Sequence, residues 1–160
     1  MSNRSQRFED LLHISHKLNY MDDLDSVLER ILSEARLLTN SESGTIYLRD
    51  GDELIFEHTQ NDKLFTSNLD NKNNYQNQRI PMDEKSVSGY VVMNAQKSGG
   101  GELVLNIPDV YELSSSYPFR FDKSFDSANS YRTQSMLLTS IESINRDIIG
   151  VILLINRKNL

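Results

Sequence analysis

The chain has 160 residues, 38% apolar and 25% charged, with 17 Lys plus Arg against 23 Asp plus Glu and a formal net charge of −6. That length suits one domain, and an acidic balance with no basic run argues against nucleic acid or anionic lipid as a partner. There is no cysteine, which excludes disulfides, thiolate metal sites, cysteine nucleophiles and thioether-linked chromophores, and fits a reducing cytoplasmic setting. No apolar run approaches about 18 residues and the N-terminus lacks an apolar signal region, so neither a membrane span nor a leader is expected.

Two helices are predicted first. Phe8, Leu11, Leu12, Leu18 and Met21 recur at steps of three and four, and Asp22 or Asp23 then offers an N-cap. Leu24, Val27, Leu28, Ile31, Ala35 and Leu38 form a second stripe that Thr39-Asn40 can stop. A hairpin follows, "GTIYLRD" and "DELIFEHT" joined around Asp50-Gly51, because Gly accepts positive φ. Residues 61–79 are polar and Asn-rich, and read as a long surface loop ahead of a short strand at "IPMD".

The segment "SVSGYVVMNA" is ambiguous. Its tyrosine and valines favour strand, while Ser86 before a compact apolar run could open a short helix. "KSGGG" is a flexible break, "ELVLNIP" a strand, and "DVYELSS" a helical turn started near Pro108-Asp109. "YRTQSMLLTSIES" and "RDIIGVILLIN" form a second hairpin about Ile144-Asn145-Arg146. The last strand is apolar enough to be central and covered on both faces. Helices plus antiparallel hairpins give an α+β fold.

Few residues suggest chemistry by spacing. His13 and His16 stand three apart, but no third metal ligand lies near, and surface histidines are the plainer reading. His58, placed at a strand end, reads as a buried or edge histidine. The glycines at 99–101 lack the Lys-Ser/Thr of a phosphate loop, and no serine stands in a nucleophile elbow. "DKSFDSANSYRT" remains. Its Asp, Ser and Asn residues can cap turns, with Phe119, Phe121 and Phe125 as anchors, or can line a small-ligand pocket beside a core strand.

The order "GTIYLRDGDELIFEHTQND", "SVSGYVV", "LNIPDVY", "SFDSANSYRTQSMLLTSI", "IIGVILLINRK" resembles a GAF domain over nearly the whole chain. It is most similar to GAF domains of bacterial signalling proteins that precede cyclic-dinucleotide phosphodiesterases of the HD-GYP type, and to the cyclic-nucleotide GAF domains of phosphodiesterases. The resemblance implies a six-stranded antiparallel sheet, with terminal helices on one face and short helices and loops over a pocket on the other. It also implies that "SVSGYVVMNA" is helical.

The resemblance implies ligand-facing roles for Thr45 on the first strand, for Val87, Ser88 and Gly89 on the covering helix, and for Asp126, Asn129, Tyr131 and Thr133. The occupant it implies is a small molecule, a cyclic nucleotide among the candidates. Two departures stand out: the family's Thr-Gly pair is Asn129-Ser130 here, and Leu153 stands where some members face the purine with a polar side chain. Asn156-Arg157 matches the family's Asn-Lys. The helix that should follow is not reached, so residues 1–160 are expected to be one GAF domain cut short from a longer protein. The expected function is a regulatory sensory domain, not an enzyme in itself, that controls an attached C-terminal effector such as an HD-type phosphodiesterase. GAF-type methionine sulfoxide reductases work through cysteines, which this chain lacks. The alternative is a ligand-free relay that forms a homodimer through its N-terminal helices.

Overall fold

The computed structural model describes residues 23–64 and 78–158. The stripe from Phe8 to Met21, the pair His13 and His16, the cap at Asp22 and most of the Asn-rich loop lie outside the described residues. Helix α1 covers residues 23–39 and ends at Asn40, whose φ of 53° breaks the helical repeat.

The face of α1 that meets the sheet differs from the predicted stripe. Leu28 and Leu32, one turn apart, pack on Ile46 and Leu154, with Ala35 beside them. Leu24, Val27, Ile31 and Leu38 are 46%, 52%, 44% and 87% exposed. Apolar residues cover two adjacent stripes of this helix, so periodicity finds the helix without choosing the buried side. Gly44 lets the helix approach: a Cβ there would lie 2.7 Å from Leu32 Cδ1. Leu32 is fully buried as a result, which contributes about 2 kcal/mol.

Six strands follow: β1 (Ser41–Asp50), β2 (Glu53–Asn61), β3 (Arg79–Pro81), β4 (Val104–Ile107), β5 (Met136–Glu142) and β6 (Ile148–Arg157). They form one sheet in the order β3-β2-β1-β6-β5-β4, every pair antiparallel. The apolar β6 is central, as its composition predicts. The first hairpin turn is Gly51-Asp52, one residue later than expected, because Asp50 pairs with Glu53. β2 also runs past His58, which therefore sits inside the strand.

Alternation along the strands makes two cores. Ile46 and Leu154 face α1. Tyr47, Leu138, Val151 and Leu153 face the other way, toward helix α2 (Val87–Lys97) and Phe119. Strand propensity loses to context in α2. Ser86 accepts the Gly89 N–H at 3.0 Å as N-cap, and Val87, Val91, Val92 and Ala95 bury one helical face on the sheet.

Asp109 caps a 3-10 turn, Val110–Glu112, by accepting from Tyr111 N–H, as the Pro108-Asp109 start predicts. A second helical feature, α3 (Ser124–Asn129), lies in a stretch that reads as loop from its polar residues. Among the described residues no helix is long and apolar enough to cross a membrane.

Candidate functional site

A cavity of 690 Å³ lies on the sheet face opposite α1, roofed by the first turn of α2 and walled by α3 and its flanking loops. Its floor follows from strand alternation. Ser43, Thr45 and Tyr47 stand at every second position of β1, Thr59 pairs with Thr45 from β2, and Leu153 pairs with Thr45 from β6. Phe56, Phe121, Phe125 and Met136 supply apolar wall. The size and the mixed lining are those of a small-molecule site.

The floor hydroxyls have defined hydrogen-bond roles. Ser43 Oγ donates to Gln60 O at 2.9 Å. Thr59 Oγ1 donates to Gly44 O at 3.1 Å, so in the 3.1 Å contact with Thr45 it is Thr45 that donates. Tyr47 and Ser88 are 9% and 6% exposed, and neither hydroxyl has a hydrogen-bond partner among the described residues. Burial pushes the Tyr47 phenol up to about 12, so it stays protonated at neutral pH.

Asp126, buried in α3, ties the wall together. One carboxylate oxygen accepts from Thr133 Oγ1 at 2.8 Å; the other accepts from Thr133 N–H and Tyr111 Oη, each at 2.8 Å. The Asp126 carbonyl accepts from Tyr131 N–H at 3.0 Å, across Ser130 at φ 48°. Asp126 therefore shapes the cavity with both oxygens already engaged. The hydrogen bond to Asp126 raises the Tyr111 phenol, assisted by desolvation. Lys123 Nζ and Arg132 Cζ lie 4.6 and 4.4 Å from the centre of the same ring.

A second network leads out of the cavity. Tyr131 lines it and donates to Glu42 Oε1 at 2.6 Å. Asn156 Nδ2 donates to Tyr131 Oη at 3.2 Å and to Arg132 O at 2.8 Å, and its Oδ1 accepts from Gln134 N–H at 2.7 Å. Lys63 Nζ lies 2.7 Å from Glu42 Oε2. Burial pushes Glu42 up, but the hydrogen bonds from Lys63, Tyr131 and Asn156, with the Lys63 charge, outweigh it and hold the carboxyl below its ordinary value. The Glu42 carbonyl accepts from Arg36 of α1 at 2.7 Å, and Arg36 and Lys158 both pair with Asp62.

Of the residues singled out in the sequence, Thr45, Val87, Ser88, Asp126, Asn129, Tyr131 and Thr133 all line the cavity. Gly89 does not. It allows α2 to sit against Asp83, whose carbonyl would lie 2.2 Å from a Cβ at that position. Asn156, at φ 55°, ends β6 and holds the Tyr131 loop, while Arg157 is exposed. Ser43, Tyr47 and Thr59 were missed. The period of two along β1 from Thr45, and the pairing across the hairpin, would have found them. Among the described residues no group of three His, Asp or Glu could hold a metal ion.

No family model matches the chain. Solved structures show that it has the GAF fold. The GAF domain of a phosphoenolpyruvate-protein phosphotransferase from Coxiella burnetii matches with a TM-score of 0.59 at 12% identity, over 98% of this chain and 81% of that one. The GAF domain/HD domain protein from Geobacter sulfurreducens gives 0.57 at 13% identity, over 86% and 78%. The free methionine-R-sulfoxide reductase from Neisseria meningitidis gives 0.51 at 19% identity, over 83% and 62%.

Proposed function

We propose that this chain is the regulatory domain of a bacterial signal-transduction protein, in which a small molecule in the cavity controls an attached effector. The observation that carries the reading is the path from the cavity wall outward. Tyr131, Glu42 and Asn156 join the wall to the junction of α1 with β1 and to the end of β6. An occupant that favours one position of Tyr131 over another thereby biases both ends of the fold, the differential binding that transmission requires. The domain does no chemistry itself in this reading, and its setting is the cytoplasm.

Cyclic nucleotides are among the candidate occupants through the family resemblance, and a cyclic-dinucleotide phosphodiesterase of the HD type is the effector to test first, in keeping with the GAF/HD neighbour. Thermal shift and calorimetry with cyclic mononucleotides and dinucleotides test the nucleotide form: a rise in melting temperature supports it, and no response at millimolar concentration removes it.

A second reading rests on a separate observation. Leu24, Val27, Ile31 and Leu38 are exposed on α1 at steps of three, four and seven, the spacing of a two-helix seam. A homodimer through this helix would relay signals without a ligand. Sedimentation tests it, and a monomer at high concentration counts against it.

A further inference from the structure

Four hydroxyls that line the cavity have no proton left to donate. Ser43, Thr45, Thr59 and Thr133 have each committed their single hydroxyl proton within the protein, to Gln60 O, Thr59 Oγ1, Gly44 O and Asp126 respectively. What Ser43, Thr45 and Thr133 still offer an occupant is lone pairs. Ser43 and Thr45 stand on one face of β1 about 7 Å apart, so they form an accepting row along the floor, while Tyr47 and Ser88 keep a hydroxyl proton to donate.

Charge points the same way. Asp126 is 4% exposed, and no lysine or arginine forms an ion pair with it among the described residues. Among the described lining residues Arg120 is the one cation. It is exposed, and its NH1 group is engaged by the carbonyls of Tyr117 and Phe119 at 2.8 and 2.9 Å. A phosphate or carboxylate set on the floor would face lone pairs and a buried negative charge. The aromatic walls, Phe56, Phe121 and Phe125, suit a flat ring.

Resting on the reading of this cavity as a ligand site, we propose that it takes a flat, non-anionic molecule that presents hydrogen-bond donors, an amine, amidine or amide on an aromatic ring, to the hydroxyl row of β1. Discrimination comes from the floor: an occupant without donors leaves lone pairs desolvated and unpaired, which costs more than the contact it would lose.

Three compounds of one shape separate the possibilities: benzamidine, benzamide and benzoate. Ligand-observed NMR and calorimetry on the 160-residue chain are expected to detect benzamidine and benzamide at millimolar concentration, with benzoate at least about tenfold weaker. Thr45→Val is expected to weaken benzamidine about fivefold. Ser43→Ala removes the other hydroxyl of the row, and tests the same row if Thr45→Val does not fold. Benzoate binding as tightly as benzamidine, or unchanged affinity in both variants, overturns the proposal. If cyclic nucleotides bind and none of the three ring compounds does, the proposal falls while the sensory reading stands. If nothing in either set binds, both fall.

Discussion

The hydroxyl of Tyr131 donates to Glu42 Oε1 at 2.6 Å, across 89 positions of sequence. Tyr131 belongs to the cavity wall and Glu42 to the start of the strand that follows α1, so one short hydrogen bond joins the cavity wall to the junction of α1 with β1.

This contact carries a pH signature. The Glu42 carboxyl is held below its ordinary 4.5, so its contribution is fully present above that value and is lost as pH falls through the lower folded value. Glu42→Gln is expected to cost about 1–3 kcal/mol at pH 7, by weakening the bonds from Lys63 and Asn156. Urea denaturation of both proteins checks it: the difference should shrink as pH falls below 4.5 and through the lower folded value, where the native carboxylate becomes protonated.

Asp126→Ala leaves the Thr133 N–H and two hydroxyls without their acceptor in a buried setting. The expected loss is about 3 kcal/mol in chemical denaturation. Thr133→Val, which removes one donor and keeps the carboxylate's other two bonds, should lose about 1 kcal/mol. A loss for Asp126→Ala no greater than that for Thr133→Val would show that the carboxylate is not the centre of the wall.

Two backbone positions predict opposite signs. Gly89→Ala would set a Cβ 2.2 Å from the Asp83 carbonyl, and neither backbone can yield cheaply. A loss of about 3 kcal/mol is expected, visible as a lowered denaturation midpoint. Ser130 holds φ 48° with a Cβ, so Ser130→Gly relieves about 1 kcal/mol of strain and gives back about 0.5 kcal/mol in chain entropy. The same denaturation series should show a net gain of about 0.5 kcal/mol.

Legibility in the sequence followed the physical range of each signal. The hairpins, the central β6 and the stop at Asn40 rest on local chemistry that a single chain displays. Helix α2 does not: its valines favour strand, and what decides is the burial of Val91 and Val92 on a sheet built from distant segments. The same limit explains Leu32, fully buried beside an exposed Ile31. The stripe read from periodicity includes Ile31 and passes over Leu32; Gly44, from a strand beyond the helix, is what selects Leu32. In the cavity, motif order located the wall residues. It could not show that Asp126 is occupied by Thr133 and Tyr111, because hydrogen-bond occupancy depends on three-dimensional neighbours.

Asn40 and Lys158 close the fold where the chain enters β1 and leaves β6. Lys158 N–H donates to Asn40 O at 2.8 Å, and Asn40 Nδ2 returns a bond to Lys158 O at 2.9 Å. The next pair inward is Ser41 with Arg157, and the ladder runs antiparallel to Leu48 and Gly150. A force pulling residues 40 and 158 apart would therefore load these bonds one at a time, as a zipper, and never all together in shear. The domain should be mechanically soft along this axis, and its central strands would peel from the open end before the rest of the sheet bore any tension.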